Sequence, residues 1–556
     1  MRWLRRGGRP DPRVEVDGRS LLGAVEAAAG SADRGWQGLD VLVRALVDVD
    51  AAGDDGLARA ALRVLGQRPA LVTRIDEHAR RVLWSATGAT PFLDGPVARL
   101  HEATPGPVAV AVASTHRDGR IRERAVAAML DRPLPELMPF LALRTGDWVG
   151  PVRDRARAGL ALLLADDDGD GDGGGDGGGD GGGDGGGDGG GGYLAAVLPT
   201  TVLMRPRLRG GFVHGQALAA LITAPEPVRR ALAGTGDRRL RRFVFDVALA
   251  QGGMRVDDLV AVAESDDDVR IRVRAAEAAC REAVWTRRVR VLRRLAGHRR
   301  AEVRVVALTG LARIGETATV AASLDDGAPL VRALARAAAA GLGTDVPGHY
   351  RVAVTAPVPA VGAVMGLAEA GSVADAALLR PLLTHADRTV RAAAVRALRQ
   401  LDAVDVEGTL PLLHDPSPAV VREATAALRP FPRRVPEEVA WQLLAHPRME
   451  LRRAGYRLLR DRSTAVHLRA ALTLAVDPHP DLARRGLADV TRLARDAALP
   501  SRRRGTPPDL TATADGHDRL AALVQRAAPA LGPGTTGQLM AWLAATAPTH
   551  RDGAHP

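Results

Sequence analysis

The sequence predicts an all-α fold, an α-α superhelix or solenoid of antiparallel helix pairs about 30 residues long. Three observations predict it. A Val-Arg unit recurs in register, with anchors at Val331, Val361, Val390, Val421, Leu451 and Leu482. Their steps of 30, 29, 31, 30 and 31 residues do not drift. Within a unit, Val390, Ala393, Ala394, Ala397, Leu398 and Leu401 form one stripe at helical spacing. Aromatic residues make up only 3% of the chain, so the core must be built from Ala, Leu and Val. Small side chains favour closely packed helices over a β-sandwich.

Each unit then reads as helix, turn, helix. An Asp or Pro precedes the Val-Arg pair, as in Asp387-Arg388-Thr389-Val390-Arg391, and marks a helix start. A second apolar run, such as Leu410-Pro411-Leu412-Leu413, supplies the partner helix. One such pair cannot bury its apolar stripe alone; stacked pairs can.

Along the chain, residues 1–165 read as an N-terminal helical region with copies at Ile121-Arg122 and Val152-Arg153 and a weaker one at Leu57. Residues 166–192 are a low-complexity tract of nine aspartates and eighteen glycines. It cannot bury apolar surface, and as a flexible coil it would span roughly 28 Å. Calcium-binding β-roll repeats share this composition, but they have a nine-residue period with an apolar position. The tract repeats every four residues and has no apolar position, so a linker is the better reading. Val152–Ala165 and Tyr193–Leu203 read as the two helices of one unit, with the tract inserted between them. Residues 193–500 are the main run of repeats. From Ser501, Arg502-Arg503-Arg504 and Pro507-Pro508 read as a loop, followed by two short cap helices near 516–529 and 536–546.

The D-x-x-V-R-x-x-A-x-x-x-x-L units resemble short HEAT-like repeats of the phycobilisome-lyase type. The resemblance covers roughly residues 50 to 495 and is strongest from 298 to 490. It implies a solenoid whose second helices line a concave binding surface. It also implies that the arginine of each Val-Arg pair is structural, pairing with loop acids between repeats. Arg122, Arg153, Arg304, Arg391, Arg422 and Arg452 are expected in that role.

Composition excludes several chemistries. All 76 basic residues are arginine, there is no asparagine, and Cys280 is the one cysteine. Without lysine there is no Walker-A loop, Schiff base or kinase-type lysine. One cysteine makes no internal disulfide and no multi-cysteine zinc site. On its helical stripe among alanines, Cys280 is expected in the core. No uncharged apolar run approaches the ~18 residues that cross a bilayer, and the basic N-terminus lacks a signal-peptide core. A cytoplasmic protein with no membrane contact and no cofactor is expected. Gly532-x-Gly534-x-x-Gly537 has no strand before it and reads as a loop.

The net charge of +11 becomes +20 once the tract is set aside. The densest basic stretch runs from Arg270 to Arg304, with twelve arginines against three glutamates. Arg287, Arg288, Arg290, Arg293 and Arg294 are expected on one helix beside Trp285. Guanidinium forks there suit carboxylates or phosphates. The expected function is a non-catalytic scaffold binding a protein partner with an acidic surface through Trp285, Arg287, Arg288, Arg290 and Arg294. Alternatives are a nucleic-acid binding or DNA-processing protein, or a lyase or chaperone for a cofactor-bearing protein. With so few aromatics, stacking on single strands has little support. His116, His298, His385 and His446 each lie five residues before an anchor. They are expected to be turn residues rather than metal ligands, because successive turns stand about 8–10 Å apart.

Overall fold

The computed structural model describes residues 18–79, 93–166, 192–206, 209–498 and 514–546. The interior of the Asp/Gly tract and the loop expected from Ser501 lie outside the described residues. Every regular element among the described residues is helical. The chain forms two compact units, Met1–Arg272 and Val273–Pro556.

In the second unit the first helices of successive pairs are Ala301–Arg313, Pro329–Gly341, Val361–Ala370, Arg388–Gln400, Pro418–Leu428, Met449–Arg460 and Pro480–Ala498. Between them run second helices such as Val346–Ala353, Glu437–Leu444 and Thr464–Ala475, and Val289–Ala296 precedes Ala301–Arg313. Two of the second helices are shorter than the periodicity suggests. Val406–Thr409 passes into a 3-10 turn, Leu410–His414, and Ala376–Leu379 passes into Arg380–Thr384. Pro411 and Pro381 stand at the second position of those turns, where a missing N–H tightens the coil rather than extending the helix.

The first helices pack on one another through the expected stripe. Val390, Ala394, Ala397 and Leu398 are all buried, as are their counterparts Val303, Ala307 and Leu311. At the tightest crossings the small residue is glycine. A Cβ on Gly455 would stand 2.5 Å from the Ala440 carbonyl oxygen and the Leu444 nitrogen. A Cβ on Gly486 would stand 2.4 Å from the Ala475 nitrogen. The helix Val361–Ala370 is walled in on almost every side: Gly362 through Ala368 are buried. Cys280 is buried too, and burial pushes its thiol up to about 12.

The first unit opens with the helices Gly18–Ala32, Gln37–Ala51, Asp55–Gly66 and Pro69–His78. Its repeats include Gly119–Asp131, Gly150–Asp166, Gly211–Thr223 and Arg238–Ala250 as first helices, and Met138–Arg144 and Gly192–Met204 among the second. The helices expected on both sides of the tract are therefore present, with Leu160, Leu164, Leu194 and Val197 buried in one core. Aspartate starts many helices as expected: Asp118, Asp237 and Asp387 each accept a backbone N–H of the first turn. At the C-terminus the segment Ala514–Ala545 is two helices meeting at Gly532, whose φ is +77°. The loop expected over Gly532–Gly537 shrinks to that single left-handed residue, and Gly534 and Gly537 are helical.

Candidate functional site

Two groups of arginines stand out. The first is a set of clamps with one geometry. Arg122 sends Nε and Nη2 to the two carboxylate oxygens of Asp147, at 2.9 and 2.8 Å. Its Nη1 donates to the carbonyls of His116 and Arg117, at 2.8 and 2.9 Å. Arg304 grips Asp326 at 2.7 and 2.6 Å and the carbonyls of His298 and Arg299. Arg391 grips Asp415 at 2.8 and 3.0 Å and the carbonyls of His385 and Ala386. Arg452 grips Asp477 at 2.7 and 3.0 Å and the carbonyls of His446 and Pro447. A planar fork with its donors fixed is what lets one side chain close its own turn and hold the next.

The clamp position is four residues past the residue that starts the helix: Asp118 to Arg122, Arg300 to Arg304, Asp387 to Arg391, Arg448 to Arg452. The repeat starting at Ser417 has Val421 there, and Arg422 falls one residue beyond. Arg422 accordingly stands outside the clamps, 62% exposed, and among the described residues its ion pair is with the adjacent Glu423 at 3.7 Å. Its place is filled from the next repeat. Arg448 donates to the carbonyls of Asp415 and Pro416, both at 3.0 Å, the pair that an arginine at position 421 would take. Arg153 holds the clamp position and bonds the Asp147 carbonyl at 3.2 Å. Among the described residues its ion pair is with the adjacent Asp154, at 3.2 Å. Arg332 occupies the same position and grips Glu369 on the next first helix.

The residue two before each helix start is the second half of the device. Where it is histidine, Nδ1 accepts the N–H of the starting residue: His116 at 2.9 Å, His298 at 3.1 Å, His385 at 3.0 Å and His446 at 3.0 Å. Where it is aspartate, Oδ1 does the same: Asp147 at 3.0 Å, Asp326 at 2.8 Å, Asp415 at 2.7 Å and Asp477 at 2.8 Å. The two types alternate. Each of these histidine turns carries an arginine that grips the aspartate of the next turn, while two of the aspartate turns also carry one, Arg153 and Arg332. From His385 the order is His385, Asp415, His446, Asp477; from His298 it is His298, Asp326. Between Asp326 and His385 lies one odd repeat with Val358 at this position and Val364 at the clamp position.

Electrostatics follow from this geometry. Burial works against charge on Asp147, Asp326 and Asp415, but the arginine forks outweigh it and hold all three carboxyls below the usual range. Asp268, gripped by Arg242 at 2.7 Å, and Asp375, gripped by Arg351 at 2.7 Å, are brought down to about 2. Burial lowers His116 below the ordinary histidine value, with Arg117 and Arg122 adding to it and Asp118 opposing.

The second group of arginines clusters at the end of the helix Val269–Trp285. Trp285 is 85% exposed. The single helix expected over this stretch is instead two, broken at 286–288, with the second running Val289–Ala296. The Arg288 N–H bonds the Ala283 carbonyl at 2.8 Å and the Arg287 N–H bonds that of Val284 at 3.3 Å. This is a Schellman end, and it requires Arg287 to be left-handed, at φ +53°. Arg287, Arg288 and Arg290 are exposed and form no ion pair among the described residues. Arg293 is committed to Glu316 at 2.7 Å, and Glu316 in turn starts the helix Thr317–Ala322. Arg294 is exposed on the same helix as Arg290. Trp441, by contrast, is covered: Arg469 lies 4.1 Å from its ring centroid and its N–H donates to Glu437 at 2.9 Å.

Among the described residues, no three His, Cys, Asp or Glu side chains gather where they could hold a metal ion. No helix there is long and apolar enough to cross a membrane.

No family model and no curated protein matches this chain. Among solved structures it is similar to importin beta, at a TM-score of 0.32 and 14% identity over 96% of this chain and 71% of that one. Yeast importin-beta gives 0.27 and 10%, over 97% and 86% of the two chains. An engineered protein gives 0.22 and 16%, over 81% and 96%. These scores are too low to carry fold or function across.

Proposed function

We propose that the protein is a non-catalytic scaffold that holds a protein partner with an acidic surface, using the arginine-bearing end of the helix Val269–Trp285 and the helix Val289–Ala296. The observation that carries this reading is the sorting of the arginines. Those of the clamps are spent inside the fold, whereas Arg287, Arg288 and Arg290 are exposed, follow an exposed tryptophan in sequence and form no ion pair among the described residues. Exposed, unneutralised guanidinium forks are the groups that carboxylates of a partner satisfy. Arg294 belongs to the same proposed surface. The 30-residue unit supports placing the repeats with the short, phycobilisome-lyase type. The cytoplasm is the proposed location, on the single unpaired cysteine.

The test is a crosslinking pull-down from the native host with wild-type protein and with Arg287, Arg288 and Arg290 all changed to Glu. A protein partner captured by the wild type and lost by the variant is the expected result. Capture unchanged by the variant defeats the proposed surface. Salt-sensitive retention on duplex DNA, abolished by the same three changes, would make nucleic acid the ligand instead.

A further inference from the structure

The left-handed turn at Arg287 stands apart from its counterparts. The same helix-ending position after Ala301–Arg313 and after Pro329–Gly341 is glycine: Gly315 at φ +74° and Gly343 at φ +82°. After Arg388–Gln400 it is Asp402, at φ +52°, a residue type that tolerates this region better than most. At Arg287 the chain accepts a conformation that a long side chain adopts only with strain, where glycine would adopt it without. The gain from that strain is positional. The turn leaves Arg287 and Arg288 exposed directly after Trp285, itself 85% exposed, and Arg290 is the second residue of the next helix.

Resting on the scaffold reading above, we propose that this turn is a peptide-recognition element. Its ligand is a linear segment of a partner protein that carries a large apolar or aromatic side chain flanked by carboxylates. The apolar side chain covers the Trp285 indole, and the carboxylates meet the forks of Arg287, Arg288 and Arg290. Tryptophan and arginine together make a recognition centre of the kind that dominates protein interfaces. A nucleic-acid strand fits less well. Strand binders stack successive bases on successive aromatics, and in this unit the next tryptophan, Trp441, is already covered by Arg469.

The probe is a fluorescein-labelled peptide of alternating glutamates and alanines around one central phenylalanine, titrated with the full-length protein and followed by anisotropy. Saturable binding is expected, weakened about tenfold by Trp285→Ala and about tenfold by Arg287→Gly. A peptide with alanine replacing the phenylalanine should bind the wild type as weakly as the original peptide binds Trp285→Ala, and should lose nothing more on that variant. Arg287→Gly should also raise the melting temperature, by about 2 °C, so its loss of binding cannot come from unfolding. The proposal is overturned if the two peptides bind alike, if Arg287→Gly binds as tightly as wild type, or if a single-stranded oligonucleotide of equal charge displaces the peptide. Should the pull-down depend on the three arginines while the peptide fails to bind, the scaffold reading stands and this one falls. Should the peptide bind through Trp285 while the pull-down ignores the arginines, the scaffold reading falls and the turn remains a peptide site.

Discussion

Arg122 is 0% exposed and its side chain shares that burial with Asp147. Removing Arg122 takes the bidentate fork from buried Asp147, which keeps Arg144 at 3.1 Å, and strips the carbonyls of His116 and Arg117 of their donor. Arg122→Ala should therefore destabilise the protein by about 3–5 kcal/mol, whereas Arg422→Ala should stay within about 0.5 kcal/mol of wild type. Urea denaturation of the two variants checks both numbers. The turn histidines make a second prediction, on pH. His116 uses Nδ1 as an acceptor for the Asp118 N–H, so its neutral form is the folded one. Its folded pKa lies below the ordinary value, so the unfolded chain takes up the proton first. Its contribution is therefore complete above about pH 6.5 and is lost as the pH falls below that. The clamped carboxylates behave alike at a lower range: their contribution holds above about pH 4 and is lost on approach to pH 2. His116→Asn keeps an acceptor that cannot protonate, so it should flatten the loss of stability between pH 7 and pH 5, read from denaturation midpoints. At this scale much was legible and one register was not. The Val-Arg pair located Arg122, Arg304, Arg391 and Arg452. It misplaced Arg422, because two valines in succession, Val420 and Val421, disguise a one-residue shift relative to the helix start.

At the scale of elements, helical periodicity located the first helices well, because each carries a long apolar stripe. It overestimated some second helices. Their apolar runs are too short to separate an α-turn from a 3-10 turn, and only the prolines at 381 and 411 hint at the difference. The break at 286–288 was hidden for a related reason. Arginine is a good helix former, and the signal for a Schellman end is normally a glycine that this turn does not have. Close packing itself left a trace in the small residues. Gly455→Ala forces a methyl against the backbone of the helix Glu437–Leu444, where nothing can yield as a side-chain tip would. It should cost about 1–3 kcal/mol despite alanine's better helix propensity, and thermal melting against a Gly236→Ala control, where the added methyl meets open space, checks it.

For the molecule as a whole, the net charge of +11 is a poor guide to its electrostatics. Replacing residues 167–191 with a short Gly-Ser linker removes eight aspartates and takes the net charge to +19. Elution from a cation-exchange resin should move to higher salt, while far-UV dichroism per folded residue should hold. Elution at the same salt would mean that those aspartates do not bear on the protein's outer field. The alternating turns have a consequence for how such a chain can change length. Excise the single repeat from Asp415 to Ala445, and Arg391 would face His446, which offers no carboxylate. Excise the two repeats from His385 to Ala445, and every surviving clamp arginine still finds its acid. Within the alternating run, deletions and duplications by twos keep the clamps matched, and those by ones do not. In the run from His385 the unit that can be removed without stranding a clamp is therefore near 60 residues rather than 30, and the repeat around Val358, with valine at both device positions, stands outside that even count.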